Sequence, residues 1–158
     1  MELEFDVKIS ASDLYDYLLF HTYGKAQGLI GSIVGALFIV CFFYQKQILF
    51  LIAGIIILLY IPWTMFIKSR QQALNECFKK PLHYRLSDEG IEVSQGDSVE
   101  LQAWDAMYKA VSTSKSIIVY TTPASACIFP KRDLGEDKMK AIEIISTHMP
   151  PKKVKIRG

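Results

Sequence analysis

Residues 27–67 read QGLIGSIVGALFIVCFFYQKQILFLIAGIIILLYIPWTMFI, and the reading of this stretch decides the fold. Lys46 is its single charge. Gln27 to Tyr44 is a run of 18 uncharged residues and Ile48 to Ile67 one of 20, separated by Gln45-Lys46-Gln47. At about 1.5 Å of rise per residue each run covers roughly 27–30 Å, the thickness of a bilayer's hydrocarbon layer. A single helix through both would be about twice that length and would draw Lys46 into lipid at a cost of about 3 kcal/mol. The stretch therefore predicts a two-span transmembrane hairpin with its tight turn at Lys46.

The flanks set the orientation. The chain has 158 residues, 51% of them hydrophobic, and a net charge of +2, too small to point to nucleic acid. Residues 1–26 hold five acids against two bases, residues 68–86 five bases against one acid, and residues 111–158 nine bases against four acids. Lys25, Lys68, Arg70, Lys79 and Lys80 flank the open end of the hairpin, against one lysine in its turn. That bias predicts both termini in the cytoplasm, with the hairpin in the membrane. Tyr44, Tyr60 and Trp63 lie toward span ends, where amphipathic rings sit, and Pro62 is expected to kink the second span. Gly28, Gly31 and Gly35 line the first span with small residues. They suit close packing on the second span, with a homo-oligomer as the other use of such a face.

Outward from the hairpin the pattern changes period. Leu3, Phe5, Val7 and Ile9 alternate with charges, which predicts a half-buried strand. Ser10-Ala11-Ser12-Asp13 then forms a capping box, with Ile9 and Leu14 placed as a hydrophobic staple, opening a helix from about Ala11 to Tyr23 that presents Leu14, Tyr17, Leu18 and His21. Beyond the hairpin a basic helical extension is expected to stop near Pro81. Short strands follow at Leu82–Leu86, Ile91–Ser94, Val99–Ala103, Ser116–Thr121 and Ala126–Phe129, with turns at Asp88-Glu89-Gly90, Gln95-Gly96-Asp97 and Pro123. Trp104 to Ser114 fits either a further strand or one helical turn. A last helix is expected from about Gly135 to His148, with Met139, Ile142, Ile145 and Met149 as its apolar stripe.

Catalytic signatures are sparse. Asp88 and Glu89 are adjacent, so on a strand they would point to opposite faces, and before Gly90 they serve as turn residues. His21, His83 and His148 are isolated, no nucleophile elbow or Gly-rich phosphate loop occurs, and neither a metal nor a cofactor is expected. Cys41, Cys77 and Cys127 are far apart and read as buried or lipid-facing thiols. Lys131 and Arg132 precede the last helix, where free backbone donors favour anions, and Lys152, Lys153, Lys155 and Arg157 follow Pro150-Pro151 as a basic tail. These six are the candidate contacts for a phosphate or an anionic lipid, the tail being either membrane-attracted or disordered.

The order of these parts resembles a known family. An alternating strand, two spans, then His83-Tyr84-Arg85-Leu86-Ser87-Asp88-Glu89-Gly90-Ile91, Trp104 with Tyr108-Lys109, and Ile128-Phe129-Pro130-Lys131-Arg132 are similar to the YcxB-like family of small bacterial membrane proteins. The resemblance covers nearly the whole chain and implies a pleckstrin-homology-like soluble region, a bent antiparallel sheet closed by the last helix. It implies no catalytic residues.

The expectation is thus an α+β membrane protein: a two-helix hairpin (27–67) inserted into a small antiparallel sheet domain. Residues 1–26 pack on that domain, 68–81 extend the second span, 82–149 form the sheet and closing helix, and 150–158 form the tail. The expected function is a membrane-tethered cytoplasmic interaction module, not an enzyme, binding anionic head groups or a protein partner at the inner surface. A membrane enzyme acting on lipid or peptide, and an oligomeric transport or immunity component, are the alternatives.

Overall fold

The computed structural model describes residues 2–156. Strand β1 (Leu3–Val7) leads into helix α1 (Ala11–Tyr23), followed by two long helices, α2 (Ala26–Gln45) and α3 (Ile48–Ala73). A short helix α4 (Glu76–Lys79) precedes strands β2 (Leu82–Leu86), β3 (Gly90–Gln95) and β4 (Ser98–Ala103). Strands β5 (Lys109–Ser112), β6 (Ser116–Tyr120) and β7 (Ala126–Pro130) come next. Helices α5 (Lys131–Leu134) and α6 (Lys138–His148) and a two-residue strand β8 (Val154–Lys155) complete the order.

The alternation of β1 is realised as written, with Leu3, Phe5 and Val7 buried and the residues between them exposed. Ser10 closes the capping box: its backbone N–H donates to Asp13 Oδ2 at 2.8 Å, and the Asp13 N–H donates back to its hydroxyl at 3.4 Å. Helices α2 and α3 pack side by side as a hairpin, turned at Lys46, whose φ of 59° is left-handed. Both are long and apolar enough to cross a membrane. Most of their apolar side chains face outward, among them Leu29, Ile33, Leu37, Val40, Ile56 and Leu59. A helix in a protein core would bury that surface. Helix α3 runs unbroken through Pro62.

Two sheets form instead of one. The first has the order β1-β2-β3-β4, all antiparallel, and the second β7-β6-β5-β8. Their facing surfaces enclose the core of Phe5, Tyr84, Leu86, Ile91, Ile117 and Phe129, closed by Ala141, Ile144 and Ile145 of α6. Every residue of β6 is buried. Ile117 and Val119 join that core, while Ile118 and Tyr120 pack on the other face with Val111 and Tyr17 of α1. Helix α1 thus lies between α3 and the second sheet.

Several expectations are corrected. The segment Trp104 to Ser114 is both of its alternatives in series, a 3-10 turn at Trp104–Ala106 and then strand β5. The basic extension breaks after Ala73 and resumes as α4. The last helix starts at Lys138, because Gly135 takes φ 52° and ψ −123°, a conformation that ends α5 and that side chains disfavour. Met139 is therefore exposed, and Ala141 and Ile144 hold the stripe with Ile145. The tail is ordered as far as described: Pro151–Lys153 makes a 3-10 turn, and β8 pairs in parallel with β5 through Ala110↔Val154 and Val111↔Lys155. Cys77 is exposed, whereas Cys127 is buried. Burial, with Glu100 nearby, pushes the Cys127 thiol up to about 12, so it is inert at neutral pH.

Candidate functional site

The parallel pairing of β8 with β5 carries the tail to the end of α1. Residues on three separate segments meet there around a crevice of about 600 Å³: His21 and Lys25 from α1 and the link to α2, Lys109 from β5, and Lys152, Lys153 and Lys155 from the tail. No carboxylate lines it among the described residues. Its floor is aromatic. The His21 ring stacks on Tyr120 at 5.8 Å between centroids, with Nδ1 3.3 Å from the Tyr120 hydroxyl. The Lys109 ammonium sits 4.8 Å from the centre of the Tyr120 ring. Lys153 donates to the Met107 carbonyl at 2.9 Å, which fastens the tail.

The field of this crevice is legible in its titration. Burial, and then the charges of Lys25 and Lys109, hold the His21 imidazole below its usual value, so it is neutral at neutral pH. Burial raises the Tyr120 phenol, with Tyr17 adding to the effect, and keeps it protonated. Five ammonium groups with a neutral imidazole and phenol donor beside them make a site for an anion.

The other predicted residues lie elsewhere. Arg132 is engaged within the chain: its Nη2 donates to Asp13 Oδ2 and to the Lys8 carbonyl, both at 2.8 Å, and its Nε donates to Asp133 Oδ1 at 3.0 Å. Lys131 Nζ donates to the Thr113 carbonyl at 2.6 Å. Lys131 and Arg132, expected as an anion site ahead of the last helix, are thus held by contacts within the chain, apart from the tail. The four-residue α5 that contains them is too short to supply an N-terminal field. Arg157 lies outside the described residues. Arg70 covers the Phe66 ring at 4.6 Å, Lys68 is exposed on α3, and Lys79 and Lys80 border a separate hollow with Gln95.

The small residues of α2 are used within the chain. A Cβ on Gly35 would stand 2.7 Å from Leu58 Cγ, one on Gly31 3.1 Å from Ile61 Cδ1, and one on Gly28 2.5 Å from the Thr22 carbonyl oxygen. His148 Nε2 approaches Asp88 Oδ1 at 3.3 Å, but its Nδ1 contacts the Ile144 carbonyl at 2.9 Å and its ring stacks on Trp104. This pair ties the β2–β3 turn to the end of α6. Among the described residues no group of three or more His, Cys, Asp or Glu is placed to hold a metal ion.

From Leu86 at the end of β2 to Glu143 within α6, the chain matches a family described as YcxB-like protein. Residues 86–143 are thus similar to that family. The YcxB-like region thus spans β3 to β7 and the first half of α6, which includes Lys109 and Tyr120 of the crevice. The helical hairpin, β1 and the tail lie outside it. No curated protein and no solved structure matches the chain.

Sequence reasoning missed His21, Lys109 and Tyr120 as site residues. His21 was read as part of a packing stripe, and Lys109 fell in the segment with two open readings. The signal that finds them is the parallel β5–β8 pairing, which joins residues 44 apart in sequence.

Proposed function

We propose that this protein is a membrane-anchored module that binds the phosphate of an anionic lipid head group in its basic crevice. In this reading α2 and α3 cross a bacterial inner membrane as a hairpin with both ends on the cytoplasmic side. The two sheets closed by α6 serve as a pleckstrin-homology-like domain at the inner surface. The observation that carries the reading is the convergence of five lysines, with no carboxylate among the described residues, beside the Gly24–Lys25 link where the chain enters α2. A site at that level faces the head groups, and near an anionic leaflet each lysine contributes about 1 kcal/mol of attraction.

The test uses the full chain in nanodiscs of zwitterionic lipid, compared with nanodiscs containing phosphatidylglycerol, and inorganic phosphate added to the first as a separate arm. The readout is the His21 ring resonance. An anion in the crevice favours the imidazolium, so binding takes up a proton, raises the His21 pKa and tightens as pH is lowered toward the ordinary histidine value of about 6.5. The phosphatidylglycerol arm is expected to move the resonance, and Lys109→Gln with Lys152→Gln and Lys155→Gln to abolish the movement. Salt is expected to weaken it, because charges more than about 8 Å apart are screened at physiological ionic strength. A response to phosphate alone would make a soluble phosphate the ligand, and no response in either arm would end the proposal.

A further inference from the structure

Strand β4 is turned inside out. Along the first sheet, Leu3, Phe5, Tyr84, Leu86, Ile91 and Val93 share the core face, and the register carries that face to Gln102 and Glu100 of β4. Val99 and Leu101 consequently fall on the outer face, opposite Ser94 and Glu92, and are 63% and 50% exposed. The strand is also an edge, since β3 is its single neighbour among the described residues. The opposite edge, β1, is met just past its end by α5: the Lys8 N–H donates to Asp133 and its carbonyl accepts from Arg132. Edge strands in stable proteins are shielded by lysine, proline, a bulge, an inward-pointing charge or a covering loop, and Glu100 is the one such device on β4. β4 carries neither a lysine nor a proline.

We propose that the open edge of β4 is a docking strand for an extended partner peptide whose residues alternate apolar and basic. A strand added there would place one side-chain row beside Val99 and Leu101 and the other beside Glu100, because side chains alternate between faces. The first row calls for apolar residues and the second for bases. Residues 97–105 reinforce the demand, holding Asp97, Glu100 and Asp105 and no base. A second copy of the chain fits poorly. Antiparallel self-pairing that keeps faces matched has two registers overlapping most of β4: one opposes Glu100 to Glu100, and the other, centred on Leu101, opposes Glu100 to Gln102, so neither brings a base to Glu100. Like charges directly opposite are destabilising. This site is separate from the basic crevice, which repels the same peptide.

The experiment measures fluorescence anisotropy of a labelled peptide of alternating valine and lysine against the full chain in zwitterionic nanodiscs. Two controls have the same composition, one with the residues in blocks and one with N-methylated backbone amides. The alternating peptide is expected to bind and both controls to fail. Val99→Lys with Leu101→Lys is expected to weaken binding by about tenfold or more, and Glu100→Lys to shift preference to a valine–glutamate peptide. An unchanged thermal transition and an unchanged His21 response show that each variant is folded. Absence of binding, equal binding by the N-methylated peptide, or equal binding by the double variant would overturn the proposal. So would a dimer in neutral nanodiscs that Leu101→Lys dissociates, which would make a second copy the occupant.

Discussion

Replacing Arg132 by alanine is expected to lower the thermal unfolding midpoint of the detergent-solubilised chain by about 6–12 °C, followed by Trp104 fluorescence. The Asp13 side chain is 2% exposed. Its Oδ2 accepts from Arg132 Nη2 at 2.8 Å, from the Ser10 N–H at 2.8 Å and from the Ser10 hydroxyl at 2.6 Å, and its Oδ1 accepts from Arg132 Nη1 at 3.0 Å. Removing the guanidinium leaves a buried carboxylate without a counter-charge. Breaking such a pair costs about 3–5 kcal/mol, and the lower end applies because Ser10 remains and Arg132 is half exposed. At about 2–4 °C per kcal/mol for a chain of this size, the stated shift follows. Adding Asp13→Asn removes the stranded charge while keeping the cap, so the double variant is expected to be more stable than Arg132→Ala alone. A single-variant shift below about 2 °C would mean the guanidinium is not committed to Asp13, and would restore it as a candidate ligand contact.

Gly90→Ala is expected to destabilise the soluble region by about 3 kcal/mol, a larger effect than any other glycine-to-alanine change in the sheets. A Cβ at Gly90 would stand 2.2 Å from the Gln102 carbonyl oxygen and 2.8 Å from its carbon. Both are backbone atoms of β4, so no rotamer change relieves the overlap. The two strands must part where they meet Trp104, whose indole N–H donates to the Ser87 carbonyl at 2.8 Å. Overpacking costs about 1–3 kcal/mol and the lost hydrogen bond about 1 kcal/mol more. Gly96→Ala is the control. Its φ is 60° but nothing lies within 4 Å of its Cβ, so the cost is conformational and about 1 kcal/mol. Denaturant midpoints for the two variants, with wild type between experiments, give the comparison; equal shifts would mean the β3–β4 contact is loose.

Features of short range were readable in the sequence. The β1 alternation, the Ser10 capping box, the two apolar helices and the turn at Asp88-Glu89-Gly90 each depend on neighbours within a few residues. Their physics is local, and β2, β3, β4, β6 and β7 emerged at nearly their final bounds, while β5 fell in the segment with two open readings. What stayed hidden depends on distant pairs. Arg132 reads as a free cation because Asp13, the acid that holds it, is 119 residues away in sequence. The tail reads as either membrane-attracted or disordered because its lysines are polar and its ordering comes from β5. The split into two sheets was not visible, since turn chemistry between β4 and β5 looks the same whether or not the chain changes sheets. The orientation of β4 was equally hidden: Val99-Glu100-Leu101-Gln102 alternates correctly for a strand, and only the register with β3 says which row faces out.

The pairing of β1 with β2 has a consequence for how the protein is made. These partners, from Leu3↔Leu86 to Val7↔Leu82, lie on opposite sides of the helical hairpin in sequence. The ribosome releases β1 first, and it has no ladder until the whole hairpin and α4 have been synthesised. In a bilayer, β1 and β2 meet only when both ends of the hairpin emerge on the same side. A chain inserted with one span missed, or threaded once, would leave β1 and β2 divided by the membrane and the first sheet without its edge. In the proposed membrane setting, completion of the first sheet therefore marks a correctly threaded hairpin.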